Sequence, residues 1–82
     1  MEYFIVALMS LLNPETNTQN IYVFTKPHST IEECKMFAVQ NIPVISEQLY
    51  LNFGPKDKPQ LITCVTKEII EELVAPVSGE NI

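Results

Sequence analysis

Hydrophobic residues dominate the start of the chain. Residues 3–12 (YFIVALMSLL) are apolar at nearly every position of both alternating sets, whereas a strand with one face in water alternates apolar and polar residues. This pattern predicts a central β-strand that is covered on both faces. A polar, Asn-rich segment at 13–20 follows, and residues 21–25 are a second run of β-branched and aromatic residues. The two runs predict an antiparallel hairpin with a long tip.

Two amphipathic helices are predicted after the hairpin. Residues 29–33 (STIEE) hold two overlapping capping boxes, which place a helix start there. Apolar residues then recur at helical spacing through 30–41 and again through 43–53. Pro43 suits the first turn of the second helix, and Gly54 suits its end.

A third strand and a short last helix are predicted in the remainder of the chain. Residues 61–65 (LITCV) are rich in β-branched side chains, and Thr66 is a suitable N-cap for the helix that follows. Four apolar residues would form the buried side of this helix: Ile69, Ile70, Leu73 and Val74. Residues 76–82 contain Pro, Ser, Gly and Asn and predict a flexible tail.

Together these segments predict an α+β fold in the order ββααβα. The sheet has three strands, namely the hairpin and the late third strand, and it packs against two helices. Residues 1–75 form a single α/β domain, and residues 76–82 are the flexible C-terminal tail. The first strand lies in the middle of the sheet. If the two helices form a hairpin, the third strand runs parallel to the first.

The second face of this sheet has little to cover it. Two helices cover the first face, and only the short helix after Thr66 remains for the other. Soluble monomers rarely leave large apolar patches in water, so the pattern predicts a homo-oligomer or a protein partner.

Charge and length exclude some partners. The chain has 82 residues, a formal net charge of -5 and five Lys plus Arg, which gives no basic stripe for nucleic acid or an anionic membrane surface. Residues 3–12 are about half the ~20 residues that span a bilayer. Because Glu2 replaces the basic residue of a secretory signal and no cleavage site follows, we expect this run to be structural.

The two cysteines leave two alternatives open. Cys34 and Cys64 each lie in an apolar pattern, so both should be at least partly buried. As reduced core thiols they would fit a cytoplasmic protein, whereas a disulfide between them would fit an exported one. We predict a cytoplasmic location, with an exported compartment as the alternative if the two cysteines are bridged.

Few residues suggest chemistry. The only histidine, His28, is predicted to be an exposed turn residue, because metal sites need several converging ligands. Glu32 and Glu33, like Glu68 and its neighbours, are typical of solvated helix faces. The chain has two Gly and none of the common phosphate, zinc or nucleophile motifs. We therefore predict no catalytic, metal or cofactor residues, and no cofactor.

Several structural motifs resemble a known group of proteins. The sequence VFTKP at 23–27, followed by STIEEC at 29–34 and by Cys64-Val65, is similar to short uncharacterised proteins of marine bacteriophages. The resemblance covers about half of the chain. It implies a phage origin and a framework built on one cysteine pair, Cys34 and Cys64, and it carries no catalytic residue.

The sequence favours a small non-enzymatic protein-interaction module. The resemblance implies that the module is phage-encoded. It would self-associate or dock on a host or viral protein through an apolar sheet face. One alternative is a virion or assembly component. The other is a minimal oligomeric enzyme whose site lies at a subunit interface, with Glu68, Tyr22 or Tyr50 contributed across it.

Overall fold

A computed structural model describes residues 1–73 and 76–79 of the chain. Within these ranges the fold has four β-strands and three α-helices. The strands are β1 (Tyr3–Asn13), β2 (Thr18–Phe24), β3 (Pro59–Thr66) and β4 (Val77–Gly79). The helices are α1 (Ile31–Gln40), α2 (Ile42–Phe53) and α3 (Lys67–Glu71).

β1 and β2 form an antiparallel hairpin, which is the pairing that their apolar runs predict. Residues 14–17 connect the strands, so the tip is shorter than the sequence indicates. The Asn13 side chain accepts a hydrogen bond from the Glu15 N–H at 2.9 Å, and Asn17 has a φ of 56°. Asn tolerates this left-handed conformation better than most residues, so side-chain chemistry closes the turn.

The sheet has one more strand than the sequence predicts. Its strands lie in the order β3-β1-β2-β4, with β3 antiparallel to β1 and β4 parallel to β2. The predicted three-stranded sheet packed against two helices is therefore wrong, because the described residues form a four-stranded mixed sheet and three helices. β1 still has a strand on either side of it, as its two apolar faces require.

The sequence predicted a β3 parallel to β1 only if the two helices form a hairpin, and β3 is instead antiparallel to β1. That prediction required α1 and α2 to fold back on each other, but a single residue, Asn41, joins them. Helical hairpins need connections of about 2–5 residues, and these two helices make few contacts with each other. Together the two helices form one connection from β2 to β3, which lie on either side of β1. β3 therefore runs in the same direction as β2.

The helix ends follow local chemistry. Thr30 Oγ1 accepts a hydrogen bond from the Glu33 N–H at 3.1 Å, and Glu33 Oε2 accepts one from the Ser29 N–H at 3.2 Å. Thr30 is therefore the N-cap of α1, as in the predicted capping box that pairs Thr30 with Glu33. α2 ends at Gly54, where φ is 82°. Glycine adopts this conformation without a steric penalty.

The core lies between α1 and α2 and the first face of the sheet. Its buried residues come from both layers: Ile5, Ala7, Met9, Tyr22, Phe24, Cys34, Ala38, Ile45, Leu49 and Cys64. The ring centroids of Tyr22 and Phe24 are 4.8 Å apart, and Tyr22 meets Phe53 edge to face at 6.0 Å. Such aromatic pairs add about 0.5–1.5 kcal/mol each beyond their burial.

The fourth strand lies in the segment that the sequence assigns to a flexible tail. β4 pairs with β2 from Tyr22 to Phe24, and the Thr25 N–H donates to the Gly79 carbonyl at 2.9 Å. A Cβ atom at Gly79 would overlap the Tyr22 hydroxyl oxygen, so only glycine allows this close approach. A strand this short has no detectable period. Residues 80–82 lie outside the described residues.

The second face of the sheet is only partly covered. Val6 and Val23 are buried at its centre, and their apolar neighbours are half-buried: Phe4, Leu8, Ile21 and Val65. α3, the helix expected to cover this face, has no buried residue. Ile69, predicted to be buried, is exposed, and Val74 lies outside the described residues.

Candidate functional site

β3 forms one edge of the sheet. Among the described residues it pairs with β1 alone, and its sequence, PQLITCVT, contains no charge. Native edge strands usually carry Lys, Pro or a bulge that blocks pairing with another chain. Here Pro59 and a register shift beside it, where Leu8 pairs with Leu61 and Met9 with Pro59, interrupt only the start of the strand, so residues 61–66 form a regular, uncharged edge.

The hydrogen bonds of β1 show which β3 groups face outward. Tyr3 exchanges two backbone hydrogen bonds of 2.9 Å with His28, on the β2 side of β1. Successive residues of a strand direct their N–H and C=O groups to opposite sides. Because Tyr3 faces β2, the β1 residues that face β3 are those at positions 4, 6 and 8. Their partners in the register are Val65, Thr63 and Leu61. The backbone groups of the residues between these three, Ile62 and Cys64, therefore point away from the sheet.

A groove runs between this edge and α1. It encloses about 360 Å³. Its lining residues are Lys35, Ala38, Val39, Ile42, Ile62, Thr63 and Cys64. Val39 is 71% exposed and Ile42 is 43% exposed, so apolar side chains stand open to water beside the free edge. The groove can take side chains from a segment that pairs with β3.

The two cysteines join the walls of this groove. The Sγ atoms of Cys34 in α1 and Cys64 in β3 lie at disulfide distance, and the Cα atoms are 6.2 Å apart, a usual separation for a bridge. Both residues are buried. A covalent link here fixes the distance between α1 and β3 and hence the width of the groove.

A buried carboxylate fixes the start of β3. Asp57 Oδ1 accepts hydrogen bonds from the Ser10 and Leu11 N–H groups at 2.9 Å each, and Oδ2 accepts one from Asn20 Nδ2 at 3.0 Å. The register of β1 shifts near this point against both neighbouring strands, so Asp57 binds backbone N–H groups where the ladder is irregular. In the sequence Asp57 lies in the polar segment KDKP at 56–59, where no local signal distinguishes it from a turn residue.

His28 lies beside a second cavity, which is lined by other residues of α1 than the groove beside β3. The predicted exposed turn residue is 8% exposed, so that prediction is wrong. The cavity encloses about 580 Å³ and is lined by Lys26, Met36 and Phe37, among others. The His28 and Phe37 ring centroids are 5.0 Å apart. The Lys26 ammonium lies over the Phe37 ring, 4.4 Å from the ring centroid.

The surroundings of His28 favour the neutral form of its imidazole. Burial lowers its pKa below the ordinary value of 6.5 and the Lys26 charge lowers it further, while the Glu33 carboxylate partly opposes them. Among the described residues, His28 Nε2 has no hydrogen-bond partner. A protonated ring would therefore place an unpaired charged donor in a buried position, which is costly.

The structure does not bring the proposed enzymatic residues together. Tyr22 is buried in the core and cannot be contributed across an interface. Tyr50 is exposed on α2 and Glu68 is exposed on α3. Within residues 1–73 and 76–79, no cluster of three or more His, Cys, Asp or Glu could hold a metal ion. No helix in the described part of the chain has the length and apolar character needed to cross a membrane.

Comparison with known proteins does not add to this picture. No protein-family model, no curated protein and no solved structure matches the chain. The geometry of the β3 edge and its groove is therefore the basis on which we infer the function.

Reducing the cysteine pair should destabilise the fold. A bridge across a sequence separation of 30 residues restricts the unfolded chain, so reduction should lower the free energy of unfolding by roughly 3 to 4 kcal/mol. Urea denaturation with and without reductant measures the difference. A Cys34→Ala/Cys64→Ala variant should be insensitive to reductant. Alkylation of both thiols in the unreduced, denatured protein would contradict the prediction.

Acidification should destabilise the fold through His28. Because its folded pKa lies below the ordinary 6.5, the unfolded chain binds the proton more tightly. The free energy of unfolding should therefore be constant well above pH 6.5, and it should fall as the pH drops from there toward the folded pKa. Urea titrations from about pH 7.5 to about pH 5.5, above the carboxylate range, measure the slope. A His28→Phe variant should be nearly flat, and an equal slope in that variant would refute the assignment.

Proposed function

We propose that the protein is a small protein-interaction module that binds an extended segment of its partner as an added strand along β3. The observation that carries the proposal is the uncharged outer edge of this strand, where the backbone groups of Ile62 and Cys64 have no strand partner among the described residues. The bound segment would continue the sheet beyond β3.

Strand addition divides affinity and specificity between two parts of the site. Main-chain hydrogen bonds to an exposed edge supply affinity, and pockets for alternate side chains supply specificity. Here the groove beside β3 provides the pocket, since Val39 and Ile42 present exposed apolar surface. An alternating partner with apolar residues on its groove side fits this arrangement best.

The cysteine pair supports a location outside the reducing cytoplasm. Disulfides persist in oxidising compartments and are rare in the cytosol, and Cys34 and Cys64 lie at disulfide distance. Of the two locations that the sequence left open, we favour the exported one. In that setting the bridge would keep the groove at a constant width.

The biological setting stays a prediction. A phage origin follows only from the resemblance, and a host or viral partner follows from that origin. A role as a virion or assembly component remains the alternative, and strand addition is compatible with it, because assembling subunits can also join along sheet edges.

Selection from a display library of short random peptides tests the proposed function. Selected peptides should shift the backbone amide signals of Ile62 and Cys64 in NMR spectra of the isotopically labelled protein. N-methylation of the peptide should weaken binding only at alternate positions, by roughly fivefold or more for each lost hydrogen bond of about 1 kcal/mol.

A matched pair of variants controls this experiment. Val39→Ser removes an apolar wall of the groove, while Val44→Ser makes the same change at an exposed position of α2 outside it. Only the first should weaken peptide binding. Peptides that leave the β3 amides unshifted, or that tolerate N-methylation everywhere, would overturn strand addition.

A further inference from the structure

We infer that the partner on the outer edge of β3 is a second copy of this chain, related to the first by a two-fold axis beside Thr63. This inference rests on the strand-addition function proposed above and identifies its occupant. Two four-stranded sheets would join into one continuous sheet, in which the two β3 strands pair antiparallel to each other. A two-fold arrangement of this kind uses the same surface on both copies and is closed.

The direction of the backbone groups restricts the register. In an antiparallel pair, two residues can exchange backbone hydrogen bonds only if the N–H and C=O groups of each point outward from its own sheet. Ile62 and Cys64 meet this condition, so Ile62 of one copy would exchange hydrogen bonds with Cys64 of the other. Thr63 then lies opposite Thr63 of the second copy. This register pairs residues 61–65 symmetrically about Thr63, and other registers leave part of that regular stretch unpaired.

Charges at the two ends of β3 favour a second copy in the antiparallel direction. Lys56 and Lys58 precede the strand, and the intervening Asp57 is buried and occupied by internal hydrogen bonds. Three carboxylates follow the strand, with Lys67 as the one cation beside them. They are Glu68, Glu71 and Glu72. Antiparallel pairing brings the basic end of each strand beside the acidic end of the other, whereas parallel pairing would bring like charges together.

Apolar side chains at the edge also fit this register. Leu61 is 53% exposed, although it lies in a strand. In the proposed pair it lies opposite Val65 of the second copy, and such cross-strand pairs stabilise sheets. The opposite edge strand, β4, has only three residues and offers a much shorter surface.

A charge-swap experiment tests the second copy directly. Wild-type protein should sediment as a dimer of the 9.3 kDa chain at micromolar concentration. Thr63→Lys and Thr63→Glu each place two like charges face to face, so each variant alone should dissociate roughly tenfold more readily or worse. An equimolar mixture should recover a heterodimer with an affinity at or above that of the wild type. Circular dichroism establishes that each variant is folded.

Variants on the other edge provide the control. Ser78→Lys and Ser78→Glu make the same changes in β4, at an exposed position, and should leave the dimer intact. A monomeric wild type, or a dimer that only the Ser78 changes disrupt, would overturn the second copy. If the wild type is monomeric while selected peptides still shift the Ile62 and Cys64 amides, strand addition stands and only this choice of partner fails.

Discussion

The central constraint on this protein is that every second residue of β3 directs its backbone hydrogen-bonding groups away from the sheet. β1 can satisfy only the groups on its own side, and no described element occupies the other. In a buried strand these groups would require partners, and at an open edge they bond to water or to another strand. The absence of charge along this edge allows the second outcome and connects the fold to its proposed function.

The rest of the fold holds that edge in place. Asp57 binds the irregular part of β1 at the start of β3, and the cysteine pair attaches the middle of the strand to α1. α1 is in turn fixed by its N-terminal cap at Thr30. A strand held at its start and middle loses little conformational entropy when it pairs, which favours association.

The sequence predicted features that depend on local periodicity and missed those that depend on distant contacts. Residues 3–12 and the capping residues at 29–33 indicated the hairpin and the start of α1, because their signals are contained in short segments. The direction of β3 depended on how α1 meets α2, and β4 depended on Gly79 fitting against Tyr22. The candidate site could not be predicted from the sequence either, because a strand is an edge strand only when no other strand lies beside it, and this has no local signal. The sequence nevertheless identified the cysteine pair that borders the groove as one of two alternatives.

Residue-resolved amide hydrogen exchange, measured by NMR at low and high protein concentration, tests the central claim most directly. At low concentration the Ile62 and Cys64 amides should exchange much faster than those of Leu61, Thr63 and Val65, and at high concentration they should become protected as copies pair. Equally slow exchange of all five amides in the dilute protein would show that the outer edge is already satisfied within the chain, and it would contradict the account.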